Sequence, residues 1–204
     1  MMFRRYFMVG VFGFVLLLAA GAQPVAAEDP GKNAEQFISG LADQAVEALT
    51  NTDISKQDRA KRFRVMLTDN FAIKTIARWV LGRHWKKASD AEKTEYLHLF
   101  EELLVVTYVD RFSSYSGESL KIVKSLVNNP KDAVVFSEIS HEGNKPIHVD
   151  WRVRTKDSVT FKIIDVLVEG VSMGQTQRSE FASVIRQHGG NVEGLLAELR
   201  KRVG

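Results

Sequence analysis

The fold is decided at residues 147–155, where the chain reads IHVDWRVRT. The odd-numbered positions up to residue 153 are apolar, and the even-numbered positions between them are polar or charged. This period of two is typical of a β-strand that buries one face and exposes the other to water. The segment therefore predicts an antiparallel sheet, because strands of parallel sheets are usually covered on both faces.

The same period extends to both sides of this segment. Lys121–Val127, Ala133–His141 and Val159–Val171 also read as strands, separated by short runs rich in Asn, Pro, Gly, Asp and Ser. Connections this short join antiparallel neighbours. The four segments predict a curved, four-stranded antiparallel meander.

The predicted register raises a question about one carboxylate. A symmetric turn at residues 156–158 places Val149 opposite Asp165, on the apolar face of the sheet. Two alternatives resolve this conflict. Either a β-bulge turns Asp165 away from that face, or the carboxylate is buried together with hydrogen-bond donors.

Helical spacing precedes and follows the sheet. It predicts four helices between residues 29 and 117, and two more after Gly174. These are Asn33–Leu49, a helix opening at Ser55, Ala72–Leu81, a long helix opening at the Ser89/Glu92 capping box, a helix ending at Gly189-Gly190, and Asn191–Val203. The predicted class is α+β, with N-terminal helices packed on the meander and C-terminal helices closing it.

The composition indicates a globular chain. Of 204 residues 45% are hydrophobic, and there is no cysteine. Cysteine-free composition excludes a disulfide scaffold, a thiol nucleophile and cysteine-based metal sites. The histidines show no zinc-ligand spacing, and neither G-x-x-x-x-G-K nor G-x-G-x-x-G is present, so we expect neither a metal nor a nucleotide.

The first 27 residues read as a secretory signal peptide. Arg4 and Arg5 precede the apolar run Phe7–Ala20, and small residues lead to a cleavage site after Ala27. An uncleaved membrane anchor is the alternative, although the run is shorter than the roughly 20 residues that span a bilayer. We expect a single mature domain at residues 28–204, outside the cytoplasm.

Charge argues against nucleic acid as a partner. Removing Arg4 and Arg5 from the 28 basic residues leaves 26, against 25 acidic residues. The charges are also interspersed, without the basic cluster that follows a phosphate backbone.

One segment resembles a catalytic motif. Residues 170–174 read GVSMG, the G-x-S-x-G pattern of a nucleophile elbow, between a predicted strand and a predicted helix. Only Glu180 and His188 follow closely, in a helix and in the wrong setting for a hydrolase triad. We favour a strand-to-helix connection capped by Ser172 or Thr176, and keep a small secreted serine esterase using Ser172 as the alternative.

Two segments carry a resemblance to a known family. Residues 161–172 read FKIIDVLVEGVS and are followed by RSEF at 178–181, and residues 79–85 read WVLGRHW. Both resemble the MlaC/toluene-tolerance auxiliary family of periplasmic proteins, which carry phospholipids between the two membranes of Gram-negative bacteria. The chain departs from the family at Phe161 and Ile164, where Trp and Tyr are usual, and at Thr176-Gln177, where Asn-Tyr is common.

The resemblance implies a carrier rather than an enzyme. Its ligand would be a lipid, a phospholipid or, as in hopanoid-associated relatives, a hopanoid or other polycyclic lipid. Its partners would be an inner-membrane lipid ABC transporter with a lipid-binding periplasmic ring and an outer-membrane lipoprotein complex. No catalytic residue, metal or further cofactor is implied.

A carrier needs an apolar cavity for acyl chains, which we expect between a sheet face and the long aromatic helix. Each methylene moved out of water contributes about 0.8 kcal/mol to binding. The residues expected to bind the lipid are Trp79, Leu81, Phe100, Leu103, Leu104, Tyr108, Phe112, Val149, Trp151, Val153, Phe161, Ile163, Val168, Val171 and Met173.

Overall fold

The computed structural model describes residues 29–51, 53–113, 117–157 and 159–204, and of residues 111–113 only the backbone. The predicted signal peptide, residues 1–27, lies outside the described residues.

Six α-helices lie close to the predicted positions. They are α1 Pro30–Leu49, α2 Lys56–Asn70, α3 Ile73–Leu81, α4 Asp90–Ser113, α5 Met173–Gln187 and α6 Val192–Val203. The capping box that opens α4 is confirmed. Glu92 Oε2 accepts from the Ser89 N–H at 2.7 Å, and Ser89 Oγ accepts from the Glu92 N–H at 3.2 Å. Helix α3 ends at Gly82, whose φ of 57° favours glycine.

The five strands form one antiparallel sheet in the order β1-β2-β3-β4-β5. They are β1 Ser119–Asn129, β2 Asp132–Ser140, β3 Ile147–Thr155, β4 Phe161–Val168 and β5 Val171–Ser172. The α+β class is confirmed, but the prediction of four strands is wrong. The expected single strand Val159–Val171 is interrupted, because Glu169 and Gly170 both adopt positive φ, 49° and 77°, and reverse the chain into a short hairpin.

The register of β3 and β4 resolves the position of Asp165. A shift between Arg152 and Val153 aligns Val153 with Ile163 and Arg152 with Asp165. Asp165 therefore lies on the same face as Arg152, and its carboxylate also accepts hydrogen bonds. The donors are Ser172 Oγ at 2.7 Å and the N–H groups of Val166 and Gly174 at 3.0 and 3.2 Å. Both alternatives apply together, a bulge and a well-satisfied carboxylate.

Apolar side chains form two cores. The sheet core joins α1 to the inner face of the sheet, with Ala34, Ile38, Val135, Val153 and Ile163 fully or almost fully buried. The helix core lies among α3, α4, α5 and α6.

The connection between α2 and α3 joins the two cores. Phe71 packs against both of them, and the Ala72 N–H donates to the carbonyl of Ile163 in β4 at 2.9 Å. The helical layer is thus attached to the sheet along the β4 edge.

The aromatic residues of α4 belong mainly to the helix core. The ring of Tyr96 lies 5.8 Å from that of Phe100 and 6.2 Å from that of Phe181 in α5. The Tyr96 hydroxyl donates to the carbonyl of Ala77 in α3 at 2.9 Å. These aromatic contacts and this hydrogen bond hold α3, α4 and α5 together as one layer.

Alanine substitutions at two glycines, one tightly packed and one not, test the packing of α5 on α3. A Cβ at Gly174 would lie 2.8 Å from Trp79 Cζ3 and 3.1 Å from Asp165 Oδ1, whereas a Cβ at Gly40 in α1 would meet no atom within 4 Å. Gly174→Ala should lower the free energy of unfolding by about 1–3 kcal/mol through overpacking. Gly40→Ala should raise it by up to about 1 kcal/mol, because glycine disfavours a helix interior.

Urea unfolding of the two variants and the parent protein measures both effects. A Gly174→Ala variant as stable as the parent would contradict the close approach of α5 to Trp79.

Candidate functional site

The G-x-S-x-G segment forms a helix cap. Ser172 Oγ donates to Asp165 at 2.7 Å and accepts from the Gln175 N–H at 3.0 Å, which makes Ser172 the N-cap of α5. His188 lies at the opposite end of the same helix, about 24 Å away at 1.5 Å per residue. Glu180 pairs with Arg202 at 2.6 Å. The two residues that would complete a triad are therefore not assembled with Ser172.

The two segments that carry the family resemblance meet at the junction of α3, α5 and the sheet. The Arg178 guanidinium lies 5.2 Å from the centre of the Trp79 ring. A Cβ at Gly82 would lie only 3.1 Å from Arg178 Nη2. Glu169 Oε1 accepts from the His148 N–H at 2.7 Å and ties the β4–β5 turn to β3. These contacts therefore hold α3 against α5, and the β4–β5 turn against β3.

Replacing the capping serine should affect stability. Ser172→Ala removes the cap of α5 and one donor to Asp165, and should lower the free energy of unfolding by about 1–2 kcal/mol. Ser179→Ala, an exposed position on the same helix, should change it by less than about 0.5 kcal/mol.

Chemical unfolding measures this difference, and an assay with short-chain esters accompanies it. Ester hydrolysis by the parent protein that disappears in Ser172→Ala would favour the esterase alternative.

A large apolar cavity lies elsewhere, between α1, α2 and the inner face of the sheet. Its volume is about 660 Å³, within the range of ligand-binding clefts. We call it the α1–α2 groove. Its apolar lining comes from three sources, α1 (Ile38, Leu41, Ala42, Ala45, Val46, Leu49), α2 and its end (Phe63, Met66, Leu67, Phe71) and the sheet (Leu120, Ile139, Trp151).

The groove follows from helical spacing and from side-chain size. The α1 lining positions recur at steps of three and four, so they form one stripe along the helix. Ala42 and Ala45 occupy the middle of that stripe and leave space that larger side chains would fill. Trp151 forms part of the opposite wall, and its Nε1–H donates to Ser137 Oγ at 3.0 Å. The indole thus lines the groove without an unsatisfied polar atom.

One end of the groove adjoins a smaller, more polar pocket of about 320 Å³. Glu118 and Ile139 line both cavities. The pocket is completed by His141, Asn144, Lys145 and Ile147, from the β2–β3 connection and the start of β3. We call it the mouth pocket.

A further cavity of about 360 Å³ lies beside the outward face of the sheet. Trp79, which is 42% exposed, lines it together with Ile76, Arg152 and Asp165. Asp132 and Arg154 also line it and form a 2.6 Å ion pair, and the hydrogen bond from Arg154 lowers the pKa of Asp132. This wall carries too many charges to suit an acyl chain.

The structure brings only one of the predicted lipid-binding residues into the α1–α2 groove, namely Trp151. Val153, Phe161 and Ile163 are buried in the sheet core, and Val149 is buried in β3. Leu81, Phe100 and Leu103 are buried in the helix core, with Leu104 packed against it.

The remaining predicted residues are dispersed. Tyr108, Val168 and Met173 are half-buried, and Val171 is 55% exposed. Trp79 lines the cavity on the outward face, and the side chain of Phe112 lies outside the described residues. The binding of lipid by these fifteen residues stays a prediction.

Sequence reasoning missed the contribution of α1 and α2. Their apolar spacing was visible, but spacing alone does not distinguish a cavity wall from solid core. The two alanines within the α1 stripe were the available signal.

In the part of the chain that the structure describes, no helix has the length and hydrophobicity needed to cross a membrane. Within the same residues, no group of three or more His, Asp or Glu side chains is arranged to hold a metal ion.

Comparisons with known proteins agree with this architecture. The family model described as MlaC protein matches residues 39–201. The chain is also similar to a solved structure, that of the phospholipid-binding protein from Ralstonia solanacearum in complex with a phospholipid. The TM-score is 0.74 at 21% identity, over 86% of this chain and 97% of that chain. At this identity the similarity demonstrates a shared fold.

Proposed function

The chain belongs to the MlaC family, and from this membership we propose that it is a phospholipid carrier that holds acyl chains in the α1–α2 groove. The groove is the observation that carries the proposal. It is the largest of the three cavities described above, and its wall is mainly aliphatic and aromatic. The phospholipid bound to the R. solanacearum protein of similar fold supports the same choice of ligand.

The energetics of the groove suit this cargo. Each methylene that leaves water contributes about 0.8 kcal/mol, so even part of one acyl chain provides substantial binding energy. The lining also includes five polar side chains, those of Ser39, Asp43, Glu47, Glu118 and Ser119. A lipid headgroup placed beside these side chains would stay close to water.

We further propose that the carrier works in the periplasm. Residues 1–27 would direct export, and residues 28–204 would form the single lipid-binding domain. ATP is not available in that compartment, so partners would have to bind the loaded and empty states with different affinity. The family suggests an inner-membrane ABC transporter with a lipid-binding ring and an outer-membrane lipoprotein complex, with the carrier passing phospholipid between them.

The decisive experiment is mass spectrometry of lipid extracted from protein purified after expression of the whole chain in a Gram-negative host. We expect phospholipid at a defined ratio to protein. A hopanoid from a hopanoid-producing host would change the cargo, and the absence of lipid together with failure to take up lipid from vesicles would contradict the proposal.

Filling the groove should block loading without unfolding the protein. Ala45→Trp places a large side chain in the groove, so lipid uptake should fall at least several-fold while the free energy of unfolding of the lipid-free protein stays within about 1 kcal/mol. Ala34→Trp on the same helix is the control, because Ala34 is fully buried in the sheet core. It should lower the free energy of unfolding by about 1–3 kcal/mol.

Uptake from fluorescent-lipid vesicles and urea unfolding of the lipid-free proteins distinguish the two variants. Normal lipid uptake by a folded Ala45→Trp variant would place the acyl chains elsewhere.

A further inference from the structure

The groove is lined by carboxylates and the adjoining mouth pocket by a lysine. From this arrangement we propose that the carrier prefers a lipid headgroup with both a phosphate and a cationic ammonium over a purely anionic headgroup. The inference rests on the proposed function, because it concerns the headgroup of a lipid whose chains occupy the α1–α2 groove.

The two cavities adjoin each other and differ in polarity. The groove is mainly apolar, and the mouth pocket that shares Glu118 and Ile139 with it is more polar. A phospholipid has the same sequence of properties, from acyl chains to a phosphate ester and its substituent. A lipid with its chains in the groove therefore brings its headgroup to the mouth pocket.

The acidic side of the combined site consists of groove-lining residues of α1 and of Glu118, which precedes β1. Asp43 and Glu47 are one helical turn apart, are exposed, and line the groove. Glu118 lines both cavities. The carboxylates of Asp43 and Glu47 attract an ammonium group and repel a second anionic group.

The basic side belongs to the β2–β3 connection. Lys145 is exposed and lines the mouth pocket beside Asn144 and His141. The Asn144 N–H donates to the His141 carbonyl at 3.1 Å, and Gly143 has a φ of 80°, so a tight turn positions this side. An ammonium and an amide NH₂ together provide donors for phosphate oxygens.

The two sides together favour a zwitterion. Lys145 faces the phosphate that every phospholipid carries, whereas the acidic side distinguishes the substituent beyond it. An ethanolamine substituent has a cation to place there, and a glycerol substituent has none. Because the charged groups are exposed, the preference should be several-fold and should weaken in salt.

Competition between two lipids tests this inference. Delipidated protein, expressed from the whole chain, is incubated with vesicles containing equal amounts of phosphatidylethanolamine and phosphatidylglycerol with identical acyl chains. The protein-bound lipids are then quantified by mass spectrometry. We expect about fivefold more phosphatidylethanolamine at low salt, the ratio given by two exposed charge pairs.

Charge variants identify the side responsible. The double variant Asp43→Asn/Glu47→Gln should reduce the preference to less than about twofold, and Lys145→Glu should lower the total loading of both lipids. Two controls outside these cavities, Glu35→Gln on α1 and Lys156→Glu between β3 and β4, should retain the parental ratio and loading.

The outcomes separate the inference from the proposed function. Equal loading of the two lipids by the parent protein, or an unchanged ratio in the double variant, would overturn the headgroup preference while leaving the carrier intact. Uptake of neither lipid would overturn the proposed function itself.

Discussion

The carboxylate of Asp165 holds the strand, the turn and the helix that connect the sheet to the helical layer. It accepts hydrogen bonds from Ser172 Oγ and from the N–H groups of Val166 and Gly174, and only 9% of its side chain is exposed. The bulge opposite Arg152 brings it to this position. Without these bonds, β5 and the first turn of α5 would lose their common acceptor, and the donor groups would need other partners.

The position of the groove depends on this attachment. Helices α3 and α5 pack at the β4 edge, where Trp79 contacts both Gly174 and Arg178, and α4 and α6 complete the helix core behind them. The inner face of the sheet is left to α1 and α2. Because α1 presents alanines at the middle of its apolar stripe, its contact with the sheet encloses space there. The residues that resemble the family thus build the junction, whereas the proposed ligand site lies among other residues.

Sequence periodicity predicts most of the fold but little of the candidate site. Alternation in residues 147–155 identifies β3, and the capping box at Ser89 locates the start of α4, because both signals are local. The sequence does not predict the β4–β5 hairpin, because its turn requires a positive φ at Glu169 as well as at Gly170, and glutamate seldom has a positive φ. The predicted register places the Asp165 carboxylate on an apolar face, but only the structure identifies the groups that donate hydrogen bonds to it. The sequence predicts Phe100 as part of a cavity wall, yet its ring is buried in the helix core, because periodicity does not reveal which apolar faces meet.

The central claim is that acyl chains lie between α1, α2 and the inner face of the sheet. Anomalous diffraction from crystals of protein loaded with a phospholipid whose acyl chains carry bromine tests it most directly. The account predicts bromine peaks within the groove, close to Ala45, Phe63 and Trp151. Peaks confined to the cavity beside Trp79, or located among the helices around Phe100, would contradict it.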